Sequence, residues 1–217
     1  MFRHGHVANH QGDVSLLPEG RQVAFNAGAS LADQVPDNVA MTILFSPSAR
    51  TRETAEELAR GLAGGLASVN KLGARVLQPQ PEDAIRNFQF IVDGREMMPT
   101  DGMHASLPPS AEHDPFFQAF WQDQDDPIDY WLTHPSQSAE QPVAVAARMR
   151  TFFGSLLQFP SLGIFLLVTH SGPMRAFLRE ALGADPGELE FCEAFQVNAN
   201  ETLFRGQRAR FSISQPT

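Results

Sequence analysis

Apolar positions follow two rhythms along this chain. Two short, mainly apolar runs, residues 41–45 and 163–168, read as buried strands. Elsewhere the apolar residues recur at the three-and-four step of a helix. They do so at Val23, Ala24, Ala27 and Leu31, then at Ala55, Leu58, Ala59 and Leu62. The same step returns at Val143, Val145, Ala146, Met149 and Phe153, and at Met174, Phe177 and Leu178.

Punctuation residues set the boundaries. Pro18 suits the first turn of the first helix, which Gly28 weakens, and Pro36-Asp37-Asn38 makes a turn. Ser46-Pro47-Ser48 ends the strand before it, and Ser48 can cap a helix from about residue 49 to 63 that Gly64-Gly65 stops. Residues 74–77 form a third strand. A long helix covers residues 139–157, and a later one opens at Pro173 and closes at Gly183. Residues 194–213 read as two strands around Arg205-Gly206. Only Met1 and Phe2 precede Arg3, whereas a buried parallel strand takes about five residues. The expectation is that the chain begins inside its own first strand.

Strands alternating with helices predict an α/β fold with a mostly parallel sheet. Between residues 78 and 142 the rhythm breaks, and prolines, aspartates and aromatics crowd together. This segment is too irregular to own a full core. We read it as an insertion that lids a site on one domain of 217 residues, its aromatics also packing it to the body.

Composition narrows the partners. A net charge of -9 disfavours nucleic acid or an anionic membrane as main partner, yet allows one small anion in a local cationic pocket. The single cysteine, Cys192, rules out a disulfide within the chain and reads as a small buried apolar residue. No leader precedes the first motif and no apolar run spans a bilayer, so a cytoplasmic protein is expected.

The chemistry concentrates at strand ends. Arg3-His4, Arg50 and His170 each follow a predicted strand. In open parallel sheets ligands sit beyond the carboxyl ends of the strands. Two arginines and two histidines converging there make a pocket for a phosphoryl dianion, with the helix start near Arg50 adding N–H groups. His4, His6 and His10 match no tight zinc spacing and have no cysteine nearby, and His104, His113 and His134 are scattered in the insertion.

The sequence resembles the histidine phosphatase superfamily, also called phosphoglycerate mutase-like. The resemblance rests on Arg3-His4-Gly5, Leu17-Pro18-Glu19-Gly20-Arg21, the run from Ser46 through Arg50 to Ala55, and the run from Val168 through His170 to Arg175. It implies a central sheet with helices on both faces. It also implies a phosphatase in which His4 attacks phosphorus and is then freed by water, with no cofactor or metal. Arg3, Arg50, His170 and Ser171 would hold the phosphoryl group, and neighbouring positive charge would keep His4 neutral.

The family also needs a carboxyl group to protonate the leaving oxygen. Members often carry it in an Arg-Glu pair shortly after the third strand, where this chain reads Arg86-Asn87. Glu96, in Arg95-Glu96-Met97, is the preferred donor, with Asp93 and Asp83 as alternatives. His6 stands where many members have glutamate or glutamine, and His10 stands near where the mutases place asparagine. The loop that grips the mutase substrate also looks short. These departures favour a phosphatase over the mutase. A phosphate-binding protein without turnover is the rival from another class. The expected partner is a small phosphorylated substrate. The acidic insertion, with Glu112, Asp114, Asp123, Asp125, Asp126 and Asp129, argues mildly against a highly anionic one. Oligomeric state is left open.

Overall fold

In the computed structural model of this chain, which describes residues 1–10, 12–99, 109–122, 125–159 and 163–210, a parallel sheet carries helices on both faces. The strands are β1 (Phe2–Arg3), β2 (Ala40–Phe45), β3 (Arg75–Val76), β4 (Gln80–Pro81), β5 (Phe90–Val92) and β6 (Arg95–Met97), then β7 (Ile164–Thr169), β8 (Gln196–Val197), β9 (Glu201–Phe204) and β10 (Gln207–Arg210). The helices are α1 (Pro18–Leu31), α2 (Ala49–Ser68), α3 (Pro109–Glu112), α4 (Pro115–Gln122), α5 (Pro127–Thr133), α6 (Pro142–Leu157) and α7 (Ser171–Leu182).

The central sheet runs β1-β7-β2-β3, with β4 also on β2, and all its pairings are parallel. The apolar runs of β2 and β7 pair with each other as the two-sided burial of their side chains demands. On one face α1 and α2 close a core of Met41, Ile43, Phe45, Leu58, Leu62 and Val168. On the other face α6 and α7 bring Val145, Met149, Phe153, Phe177 and Leu178 onto Leu167.

Gly64-Gly65 does not stop α2, which continues to Ser68. Tertiary packing overrides the weak propensity there: a Cβ on Gly65 would stand 2.7 Å from Ala32 Cβ, so the glycine lets the two segments close up. Gly28 and Gly61 serve the same contact, since a Cβ on either would collide with the carbonyl of Leu58 or Phe25 opposite. Helix α7 opens at Ser171, two residues before Pro173, and closes at Gly183 with φ 81° as expected. Among the described residues the C-terminal segment holds three strands rather than two, the β9–β10 hairpin turning at Arg205-Gly206. Ile213, the expected end of this segment, lies outside them.

The aromatics of residues 88–131 share their core with helices α6 and α7. Phe88, Phe90, Phe116, Phe117, Phe120 and Trp131 form one cluster with the apolar faces of α6 and α7. Phe88 stacks on Trp131 with ring centroids 4.0 Å apart, and the indole N–H of Trp131 donates to the Glu140 carbonyl. His104 and Asp123 lie outside the described residues. Among the described residues no helix is long and apolar enough to cross a membrane.

Candidate active site

Strand register gathers the site. Phe2 and Phe45 both stand opposite Val168, so β1, β2 and β7 end in one row. The chain leaves that row with Arg3, Ser46 and Thr169. His4 N–H donates to the Thr169 carbonyl at 2.9 Å, and Ser46 N–H donates to the Val168 carbonyl at 2.9 Å. The parallel register thus extends one step past the strands and delivers His4 and His170 side by side.

The start of α2 brings Arg50. Ser48 caps that helix by accepting from the Thr51 N–H, and Arg50 in the first turn is buried, its Nη1 donating to the Gly12 carbonyl at 3.2 Å. Thr54, one turn further, accepts the Gly5 N–H at 2.9 Å and so ties the His4-Gly5 bend to α2. Gly20 closes the other side. A Cβ there would collide with the backbone of His6, so α1 can press its first turn onto the loop after His4.

The imidazoles of His4 and His170 lie 5.4 Å apart, centroid to centroid, and the ring of His10 stands 5.7 Å from His4. Nδ1 of His4 is 2.8 Å from the Gly5 carbonyl oxygen, which can only accept. Nδ1 therefore carries the proton, and Nε2 keeps a lone pair. Nε2 of His170 is bonded to the Ser46 hydroxyl at 3.0 Å.

Burial first, and then the charge of Arg50, holds His4 and His170 well below the ordinary imidazole range. The same causes push His10 down to about 4. All three rings are neutral near pH 7, so one carries an unprotonated nitrogen beside two buried guanidinium groups.

Arg3 is buried beneath the ring of Phe191, with its guanidinium carbon 4.4 Å from the ring centroid. It donates to the Leu189 carbonyl and pairs with Glu188 Oε1 at 2.6 Å. Its Nε is buried without a hydrogen-bond partner among the described residues, a donor open to an anion. Ser171, at the first turn of α7, donates its hydroxyl to Glu188 Oε2 at 2.6 Å. Such a cluster can bind an oxyanion and present a nitrogen nucleophile to it.

Arg3, His4, Arg50, His170 and Ser171 thus gather at one sheet edge. Glu96 lies apart from that network. It is exposed on the β5–β6 hairpin opposite Ile91, and none of the described hydrogen bonds, ion pairs or ring contacts joins it to Arg3, His4, Arg50 or His170. Asp93 sits at the tip of the same hairpin and accepts from Ser110, and Asp83 pairs with Arg86. Asn87 is buried, and its Oδ1 would stand 3.4 Å from a Cβ on Gly172, one residue beyond Ser171.

Sequence reasoning missed Glu188 as the carboxylate that meets Arg3. It lies in a loop between α7 and β8, and its only signal is an acidic residue after the last cationic helix. Arg175 reads in the sequence only as the end of a matched run, without its ion pairs. It is buried and held by Asp126, Asp185 and Glu188, so the start of α5 is tied to α7 just behind the site. Cys192 is buried and its thiol is pushed up to about 11, chiefly by burial. Among the described residues no group of three or more His, Cys, Asp or Glu could hold a metal ion.

The model of the histidine phosphatase superfamily (branch 1) matches residues 1–73 and 102–215. The chain belongs to the histidine phosphatase superfamily. Solved structures share this fold. The protein YhfR of Bacillus stearothermophilus is 21% identical with a TM-score of 0.58, covering 100% of this chain and 96% of its own. A phosphoglycerate mutase from Bacillus anthracis is 17% identical with a TM-score of 0.56, covering 98% of this chain and 90% of its own. A mycobacterial glucosyl-3-phosphoglycerate phosphatase is 21% identical with a TM-score of 0.54, covering 90% of this chain and 86% of its own. No curated protein sequence matches.

Proposed function

We propose that this histidine phosphatase hydrolyses a small phosphomonoester without a metal, in two steps through a phosphohistidine on His4. Nε2 of His4 attacks phosphorus as the ester P–O bond breaks, and the leaving oxygen takes a proton. Water then attacks the phosphohistidine, the N–P bond breaks, and neutral His4 and inorganic phosphate are released. Arg3 and Arg50 neutralise the phosphoryl oxygens as charge redistributes, while His170 and Ser171 donate hydrogen bonds to them. Arginine charge does the work for which many phosphatases use a metal ion.

The observation that carries this reading is the hydrogen bond of His4 Nδ1 to the Gly5 carbonyl at 2.8 Å. It fixes the tautomer with a bare Nε2, in a field that keeps the ring unprotonated. The test is hydrolysis of an activated aryl phosphate in excess chelator, wild type beside His4→Ala. Turnover by the wild type alone supports the reading; equal turnover by both overturns it.

Buried Asn87 favours a second reading, a protein of this fold that binds phosphate without turning it over. It predicts vanadate binding by a chain that hydrolyses nothing. Mutase-type transfer, the remaining alternative, predicts dependence on a bisphosphorylated primer. Glu96 is the donor proposed for the leaving oxygen, and its place on a hairpin requires that hairpin to close over the substrate.

A further inference from the structure

The rings around His4 bear on the part of the substrate that leaves. His4 and His170 are buried at the sheet edge, with the charges of Arg3 and Arg50 acting on both. Two loops supply the groups on the solvent side. The loop after β1 brings His6, half-buried, and His10, exposed, and the loop between α7 and β8 brings Phe191, half-buried. Their rings meet beside the nucleophile. His10 and Phe191 stand 5.7 Å and 5.9 Å from the His4 ring, centroid to centroid, and 6.4 Å from each other. The plane of Phe191 lies 28° from that of His6 and 24° from that of His10, so the three rings face nearly one way. Among the described residues three rings stand beside His4, and His10 and Phe191 are the two that reach solvent.

This wall offers faces rather than charge. Phe191 has no polar group, and it is held between neighbours. The Arg3 guanidinium carbon lies 4.4 Å from its centroid and the His6 ring lies 4.7 Å away. His10 is an imidazole, but partial loss of water around its ring, and then the charges of Arg50 and Arg3, push it down to about 4. Near pH 7 it is a neutral aromatic ring. The loop that carries Phe191 also carries Glu188 and Glu190, both exposed and both close enough to act on Arg3. Their charge disfavours a second anionic group on the substrate.

We propose that the substrate carries its phosphoryl group on a planar, uncharged aromatic ring, which packs against His10 and Phe191 while the phosphoryl group sits among Arg3, Arg50 and His170. This rests on the reading of His4 as the phosphoryl acceptor and adds the class of leaving group to it, a phenol or another hydroxylated aromatic ring. A ring joined to phosphorus through a single oxygen stays close to His4. There it meets two rings spaced for offset or edge-on contact.

Phosphonates test this without turnover, because their P–C bond is not hydrolysed and a CH2 group stands where the ester oxygen would be. Methylphosphonate, benzylphosphonate and cyclohexylmethylphosphonate are titrated calorimetrically at a pH where all three are dianions. The last two match in size and differ in planarity. Benzylphosphonate is expected to bind about fivefold tighter than cyclohexylmethylphosphonate. His10→Phe should keep that preference, whereas His10→Ala and Phe191→Leu should each cut it to about twofold or less. The preference is a ratio within one protein, so a variant that is merely less stable does not mimic the result. Equal binding of the benzyl and cyclohexylmethyl forms overturns the proposal and leaves the phosphatase reading intact. So does an equal loss for all three ligands in His10→Ala with the preference kept, which would make His10 a ligand of the phosphoryl group. Binding of none of the three removes the anion pocket itself, and both readings with it.

Discussion

Glu188 holds Arg3, a proposed phosphate ligand, at 2.6 Å, oxygen to guanidinium nitrogen. The same carboxylate takes the Ser171 hydroxyl at 2.6 Å and stands 3.3 Å from Arg175. Two proposed phosphate ligands therefore share one internal anion. A dianion bound by those two residues would compete with Glu188, which is half exposed and has solvent to swing into.

Replacing that anion should expose the cations. Glu188→Gln keeps the shape and removes the charge, so phosphate and vanadate should bind more tightly. Because the carboxylate is half exposed, the gain is limited to about fivefold. Isothermal titration with vanadate measures it, and weaker binding in the variant would mean that Glu188 orders the site rather than competes for it.

Acid should destabilise the fold before ordinary carboxylates titrate. His4, His10 and His170 have folded pKa values lowered below the ordinary imidazole value. Between those lowered values and about 6.5 the unfolded chain binds protons that the folded chain does not. Their contribution is complete above about 6.5 and is lost as pH falls, by about 1.4 kcal/mol per unit for each of the buried His4 and His170 and by less for His10, whose exposure lets solvent screen it. Urea melts at pH 7 and pH 5 should show this slope, and His10→Asn should flatten it by less than a third.

The missing carboxylate at position 87 should set leaving-group dependence. Asn87→Asp puts an acid beside Gly172 without changing side-chain size. Turnover of alkyl phosphates should rise by at least about tenfold, with little change for activated aryl esters that leave without a proton. Glu96→Gln should lower alkyl turnover and spare aryl turnover. A uniform loss on both substrates in Glu96→Gln would remove it as the donor.

Gly20→Ala should damage the site from the outside. Its new Cβ meets the His6 backbone, so the loop after His4 must shift. A destabilisation of about 1–3 kcal/mol is expected, a fall in Tm of roughly 3–10 °C, together with lost turnover. Full activity with a lowered Tm would separate the loop from the chemistry.

Arg50 and His170 were legible because each follows an apolar run that reads as a buried strand, whereas Arg3 and His4 follow only Met1 and Phe2 and were legible through the Arg3-His4-Gly5 motif. Parallel register then does the rest, since Phe2, Val168 and Phe45 share a row. The end of α2 was not legible, because Gly65 answers to Ala32 across a helix contact that no local pattern records. Glu188 was hidden for a similar reason. It reaches Arg3 from 185 positions away along the chain, through a loop with no motif. Between residues 78 and 142 the rhythm breaks, and the aromatics there spell neither their stacking on Trp131 nor the helices they form.

Rapid quenching of the protein with an aryl phosphate, followed by mass analysis of its N-terminal peptide, tests the phosphohistidine most directly. One acid-labile, base-stable phosphoryl group on His4, absent from His4→Ala and gone once substrate is spent, is the predicted result. Steady turnover with His4 never phosphorylated would contradict it, and attack by water on a bound ester would take its place.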